Sequence, residues 1–189
     1  MTSNIRLRHA KDADLYATAS DFCRIFQQET ENLYLLALLL TADSGKAEQC
    51  FVSGLERSAE GNHVFKEWAR SWARRNVIKS AVRLVALEPE SASAISNSAV
   101  DAEPILPGMR AELSALLSLQ PLDRFAFVTS VLEGYTDRDC TLLIGCTRER
   151  LIAARTRAIQ QIGHSGKEAP AAPSIHSTLE LPASLATSA

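Results

Sequence analysis

Residues Thr136–Ala158 read TDRDCTLLIGCTRERLIAARTRA, two helix-like runs that meet at Ile144-Gly145-Cys146-Thr147. Thr136 with Asp139 three residues on has the spacing of a capping box, and Asp137 adds negative charge at the positive end of a helix dipole. A short helix therefore starts there. Gly145 can adopt the left-handed conformation of a tight turn, and Thr147 can cap a second helix from Arg148 to about Ile162. Helical periodicity sends Leu151, Ala158, Ile159 and Ile162 to one side, with Arg155 toward it, and Arg150, Ala153, Ala154 and Arg157 to the other. Small alanines between arginines would let this helix lie close in a groove while Arg150 and Arg157 reach base edges or phosphates. Arg148 opposes the helix dipole at a cost of about 0.3–1 kcal/mol, partly offset by Glu149, and a DNA partner would explain that cost. Thr147, Arg148, Arg150 and Arg157 are thus the candidate DNA contacts of this unit. The alternative is a helical hairpin with a solvated arginine face.

Upstream, Phe65, Trp68, Ala69, Trp72 and Ala73 share one helical arc, so both tryptophans are expected to anchor a core. Val77, Ala81 and Leu84 occupy another arc, so that helix bends or is buried on two sides. Lys66, Arg70, Arg74, Arg75, Lys79 and Arg83 lie among these residues with only Glu67 opposing them. Tryptophans interleaved with such a basic stripe favour nucleic-acid binding, with Arg70, Arg74, Arg75, Lys79 and Arg83 as contacts; a solvated basic face is the plainer reading.

The 189 residues, 46% hydrophobic, suffice for one domain or two small ones. A net charge of −2 gives the whole chain no attraction to nucleic acid, so local patches must supply it. Strand patterns are nearly absent, and the expected class is all-α: two small helical domains joined by a flexible linker, the second a helix-turn-helix. The boundaries read as an N-terminal arm over 1–20, a helical domain over 21–87, a Ser-, Ala- and Pro-rich linker over 88–109, the helix-turn-helix domain over 110–162 and a disordered tail over 163–189. LYLLALLL, Leu33–Leu40, is too short to span a membrane and reads as a central buried helix. Cys23, Cys50, Cys140 and Cys146 form no CxxC pair and stand at no zinc spacing from the histidines, so no metal or other cofactor is expected. Scattered thiols suit the reducing cytoplasm. No glycine-rich phosphate loop follows a strand and no spaced catalytic constellation occurs, so an enzyme is not expected.

The second block, LSALLSLQPLDRFAFVTSVLEGYTDRDCTLLIGCTRERLIAARTRAIQQI, resembles the C-terminal, minus-thirty-five-reading domain (region 4) of bacterial RNA polymerase sigma factors of the extracytoplasmic-function (ECF) type. Leu119, Pro121 and Arg124 match its opening motif; Glu133, Gly134, Tyr135 and Thr136 match EGYS; Gly145, Thr147, Leu151, Arg157 and Ala158 match the remainder. Ile152 and Ala154 stand where the family places basic residues, and Arg155 at a usually apolar position. The first block, with LYLLALLLTADSGKAE followed by VFKEWARSWARR, is similar to the N-terminal domain (region 2) of the same family. That resemblance implies binding to the clamp coiled coil of core RNA polymerase. It also implies opening of the minus-ten element, with an unstacked base captured in the loop Ser58–His63, where Asn62 and His63 would contact DNA. The polymerase-facing positions map to Glu48, Gln49, Val52 and Ser53. Only Glu48 keeps the family's charge there, and Gly54 costs the helix about 1 kcal/mol relative to alanine.

The resemblance implies a sigma-factor-like initiation protein whose partners are promoter DNA, core RNA polymerase bound more weakly than usual, and an anti-sigma protein, with no membrane. A regulator on the same scaffold that does not support initiation is the second expectation. A helical interaction module without a DNA role is the third.

Overall fold

The computed structural model describes residues 15–60, 63–86 and 113–165, and the regular elements among them are all helices. The expected linker over 88–109, most of the N-terminal arm and nearly all of the tail over 163–189 lie outside the described residues.

Helix α1 (Ala19–Gln28) begins at a capping box: the Thr18 backbone N–H donates to Asp21 Oδ2 at 2.9 Å, and Thr18 Oγ1 accepts from the Asp21 N–H at 3.3 Å. Helix α2 (Thr30–Thr41) is the expected central helix and buries Leu33, Leu36, Ala37 and Leu40. It stops at Ala42, whose φ of 56° is left-handed, and Asp43 caps helix α3 (Ser44–Ala59) by accepting from the Lys46 N–H at 2.8 Å. Since α3 runs through Ala59, Ser58 is helical and buried, and the candidate base-capturing loop is shorter than Ser58–His63. Ser58 serves packing instead: its hydroxyl donates to the Gly54 carbonyl at 2.7 Å and accepts from Asn76 Nδ2 at 3.0 Å.

A single 3₁₀ turn, Lys66–Trp68, leads into helix α4 (Ala69–Ala86). The arm folds back onto this entrance, where the Ala17 N–H donates to the Val64 carbonyl at 2.7 Å and Tyr16 stacks on Phe65. Helix α4 packs on α1, α2 and α3 and buries Ala69, Ala73, Val77, Ile78 and Ala81, so of the two explanations its apolar arcs allow, a bend or burial on two sides, it is covered on more than one side. Gly54 explains its own presence here. A Cβ at that position would lie 2.7 Å from Val77 Cγ2 and 3.3 Å from the Val77 backbone, so α3 and α4 cross where only glycine fits.

The second block comprises α5 (113–117), α6 (Pro121–Phe127) continuing through a π turn (Val128–Leu132), α7 (Asp137–Ile144) and α8 (Arg148–Ser165). Helix α8 extends three residues past the expected end at Ile162, through Gly163. The two blocks share one core, with Leu116, Leu119, Phe125, Val128, Leu143 and Ala158 in the same buried cluster as Phe22, Leu33 and Leu40. Arg124 fastens them. The residue is 5% exposed, and its guanidinium donates from Nε to the Leu40 carbonyl at 3.0 Å and from Nη2 to the Thr41 carbonyl at 3.2 Å, both at the C-terminus of α2. Nη1 donates to the Leu119 carbonyl at 2.9 Å and the Leu117 carbonyl at 3.3 Å. Burial pushes this group down to about 10, so it keeps its charge at neutral pH and meets the negative end of the α2 dipole.

Candidate nucleic-acid interface

The turn between α7 and α8 forms by the expected local chemistry. Thr136 Oγ1 accepts from the Asp139 N–H at 3.2 Å, and Gly145 sits at φ 76° with its N–H on the Thr141 carbonyl at 2.9 Å. Thr147 Oγ1 then accepts from the Arg150 N–H at 3.3 Å, capping α8. Helix α8 seats on α6 and α7 through Leu151, Ala154 and Ala158, all fully buried.

That seam turns the helix relative to its periodicity. Ala154, expected outward, is buried, and Ile159, expected inward, is 51% exposed. The reason is close helix packing: alanines at 154 and 158 let α8 approach α6 more tightly than a seam centred on Ile159 would allow. The outer face carries Arg148, Glu149, Arg150, Ile152, Ala153, Thr156 and Arg157.

The arginines of this unit differ in what they do within the chain. Arg157 forms a two-pronged pair with Asp123 of α6, Nε to Oδ2 at 3.0 Å and Nη2 to Oδ1 at 2.6 Å, and the Asp123 side chain is only 6% exposed. Arg155 spans the two helices to Asp137 Oδ1 at 2.8 Å, and Arg148 Nε lies 3.5 Å from Asp137 Oδ2. Asp137 therefore answers two puzzles at once. It supplies the local carboxylate that offsets Arg148 in the first turn of α8, and it makes Arg155 a link between α7 and α8 where an apolar neighbour was expected. Arg155 holds the Asp137 carboxyl below its ordinary range. Arg150 stands exposed beside the cap, and Thr147 is exposed at the cap itself.

On α4 the basic stripe is interleaved with carboxylates from other elements. Arg70 Nη1 lies 3.0 Å from Glu29 Oε1; Arg74 grips Glu133 from Nε at 2.8 Å and from Nη2 at 2.7 Å; Arg75 Nη2 lies 3.9 Å from Asp139 Oδ1. Lys79 Nζ sits 5.4 Å from the centre of the Trp72 ring, within cation–π range, and Arg83 is exposed. His63 is exposed and meets Tyr16 edge-on at 5.5 Å, whereas Asn62 lies outside the described residues. His63, Val64, Trp68, Ser71, Trp72, Arg75 and Tyr135 line an open cleft of about 410 Å³ between the two blocks.

Trp68 corrects the sequence reading. It is 58% exposed rather than a core anchor, because the 3₁₀ turn before α4 winds at about three residues per turn and carries Trp68 off the buried arc of Ala69 and Ala73. It packs edge-on against Phe65 at 5.3 Å. Trp72, half-buried, lines the same cleft.

Glu48, Gln49 and Val52 are exposed and Ser53 half-buried, on the face of α3 opposite Ala47, Cys50 and Gly54. The family resemblance, and not a periodicity argument, points to these positions. Neither could find Asp123, Glu133, Asp137 and Asp139 as partners of Arg157, Arg74, Arg155 and Arg75, since most of these pairs join residues far apart in sequence and no local pattern relates them.

No helix among the described residues is long and apolar enough to cross a membrane. No protein-family model matches the chain, and no curated protein matches it. A solved structure does: the co-crystal structure of the sigma factor RpoE in complex with the anti-sigma factor NepR from Bartonella quintana is similar with a TM-score of 0.53 and 20% sequence identity, over 79% of this chain and 99% of that one. The described residues are all-α and have a sigma-factor-like fold.

Proposed function

We propose that this chain is a sigma-factor-like transcription protein, without enzymatic activity, that contacts promoter DNA and guides core RNA polymerase. The observation that carries the reading is the outer face of α8. It presents exposed Arg150, Ala153 and Thr156 on a helix whose inner side is seated on α6 and α7 through buried Leu151, Ala154 and Ala158, with the Arg155–Asp137 pair and, from the edge of the outer face, the Arg157–Asp123 pair fastening it. A reading helix needs that combination, because its contacts specify only if the helix is held in one orientation. Within this reading Arg150 and Thr147 face the DNA, and Arg157 works mainly by setting the angle of α8. Because the similar sigma factor was solved with an anti-sigma factor, a protein inhibitor of that kind is the proposed third partner.

The test has two parts. Fluorescence anisotropy with duplex promoter libraries should show salt-sensitive binding, and Arg150→Ala should weaken it and lower the salt slope by about 0.9 if one phosphate contact is lost. Equal binding by wild type and Arg150→Ala would remove α8 from the interface. Reconstitution with core polymerase should then yield transcripts that depend on this chain.

A second reading has its own observation. Gln49, Val52 and Ser53 carry no charge on the outer face of α3, between Glu48 and Glu56, at positions where a polar polymerase interface would use charge-assisted contacts. DNA binding without polymerase binding, unchanged by Gln49→Asp with Ser53→Glu, would make this a DNA-binding regulator on a sigma scaffold.

A further inference from the structure

Arg74 meets Glu133 in the two-pronged geometry that a guanidinium also offers a phosphate, at 2.8 and 2.7 Å, with the Glu133 side chain only 12% exposed. Asp139 stands 3.9 Å from Arg75. Both carboxylates belong to the second block, and both arginines belong to the basic stripe on α4, the other candidate DNA contact. The backbone aims Glu133 at this place. The π turn closes with the Glu133 N–H on the Val128 carbonyl at 2.9 Å, and Gly134 at φ 69° reverses the chain so that the Tyr135 N–H reaches the Thr129 carbonyl at 3.0 Å. Tyr135 then closes one side of the cleft lined by Trp68, Trp72 and Arg75. Glu29, from the first block, lies 3.0 Å from Arg70 and 3.8 Å from Arg74.

We infer that Glu133 and Asp139 act as a built-in polyanion that covers Arg74 and Arg75, so that the second block and a nucleic-acid backbone compete for the same guanidinium groups. The inference rests on the DNA-binding reading of α4. In the closed chain the two arginines and the cleft wall at Tyr135 are held by the second block. Nucleic-acid binding lifts the α7 end away from α4, while Arg124 and the apolar contact of α6 with α2 keep the blocks joined. Linkage makes the effect reciprocal: whatever weakens the carboxylate contacts tightens DNA binding, and DNA separates α7 from α4.

Spin labels at Glu67→Cys and Leu142→Cys, in the full chain with Cys23 and Cys146 changed to serine, report the separation of the start of α4 from α7. A saturating single-stranded oligonucleotide should lengthen it. Glu133→Gln with Asp139→Asn should lengthen it without DNA and raise the apparent affinity about tenfold, as expected when a binding-competent form goes from roughly a tenth of the population to most of it. Should that double variant fail to fold, Asp139→Asn alone, at a side chain 39% exposed, gives the same test with smaller shifts in the same directions. Bound DNA with an unchanged label distance, or equal affinities of wild type and variant, overturns the masking and leaves the DNA reading standing. No binding by either protein overturns both.

Discussion

Gly54 shows how one residue can be misjudged from propensity alone. In isolation it weakens α3, and alanine should improve the helix by about 1 kcal/mol. In the fold a methyl group there would press on Val77 Cγ2 at 2.7 Å and on the Val77 backbone, which cannot move without shifting α4. Overpacking outweighs propensity, so Gly54→Ala should destabilise the chain by about 1–3 kcal/mol in chemical denaturation. A stabilised variant would mean that α3 and α4 do not cross here. Asp137 supports a second prediction at this scale. Arg155, and then Arg148, hold its carboxyl below the ordinary value of 3.8, so its stabilising contribution is complete above that value and disappears as pH falls through the lower folded-state value. The difference in Tm between wild type and Asp137→Asn should therefore stay constant from about pH 7 to pH 5 and shrink at lower pH. Arg155→Leu should abolish most of that pH dependence; a dependence that survives it would assign the effect to another carboxylate.

Among the elements, α8 is where burial and ion pairing divide a row of similar arginines into different tasks. Arg157 closes on a carboxylate that is 6% exposed, and its loss leaves the Asp123 charge in the core without a counter-ion. Arg150 has no such buried neighbour. Arg157→Ala should lower Tm, with Asp123→Asn in the same chain recovering much of the loss, whereas Arg150→Ala should leave Tm unchanged and act only on DNA affinity. Differential scanning calorimetry on the three variants checks this, and equal destabilisation by both single alanine substitutions would contradict it. The entrance to α4 makes a similar point with aromatic residues. Trp68 and Trp72 are four apart and look equivalent, yet one short 3₁₀ turn leaves the first exposed and the second half-buried.

At the scale of the whole molecule, the question is what joins the blocks. Arg124 satisfies carbonyls at the end of α2 and at the end of α5, and its removal would leave several buried acceptors without donors. Arg124→Met, which keeps most of the stem packing, should cost about 3 kcal/mol. It should also separate the halves. Limited proteolysis is expected to cut first over 88–109, where the composition is that of a linker. The nicked wild-type halves should co-elute in gel filtration because they share one core, and the nicked Arg124→Met halves should elute apart. Separation of the nicked wild-type halves would show that the linker, and not the shared core, holds the chain together.

Residue order was enough to read the helical class, the cap at Thr136, the left-handed turn at Gly145, the cap at Thr147 and a central buried helix over Leu33–Leu40. Each of these depends on residues within a few positions of one another, where propensity, capping and periodicity act directly. Residue order also identified the basic stripe on α4, since its arginines and lysines lie close together along one helix. It took the packed fold to reveal that Gly54 marks a helix crossing, that Arg124 staples two blocks, and that Arg74, Arg75, Arg155 and Arg157 face carboxylates. A sequence shows which arginines stand on one face of a helix, but the carboxylates opposite them arrive on other helices, and the packing of those helices alone sets whether they meet.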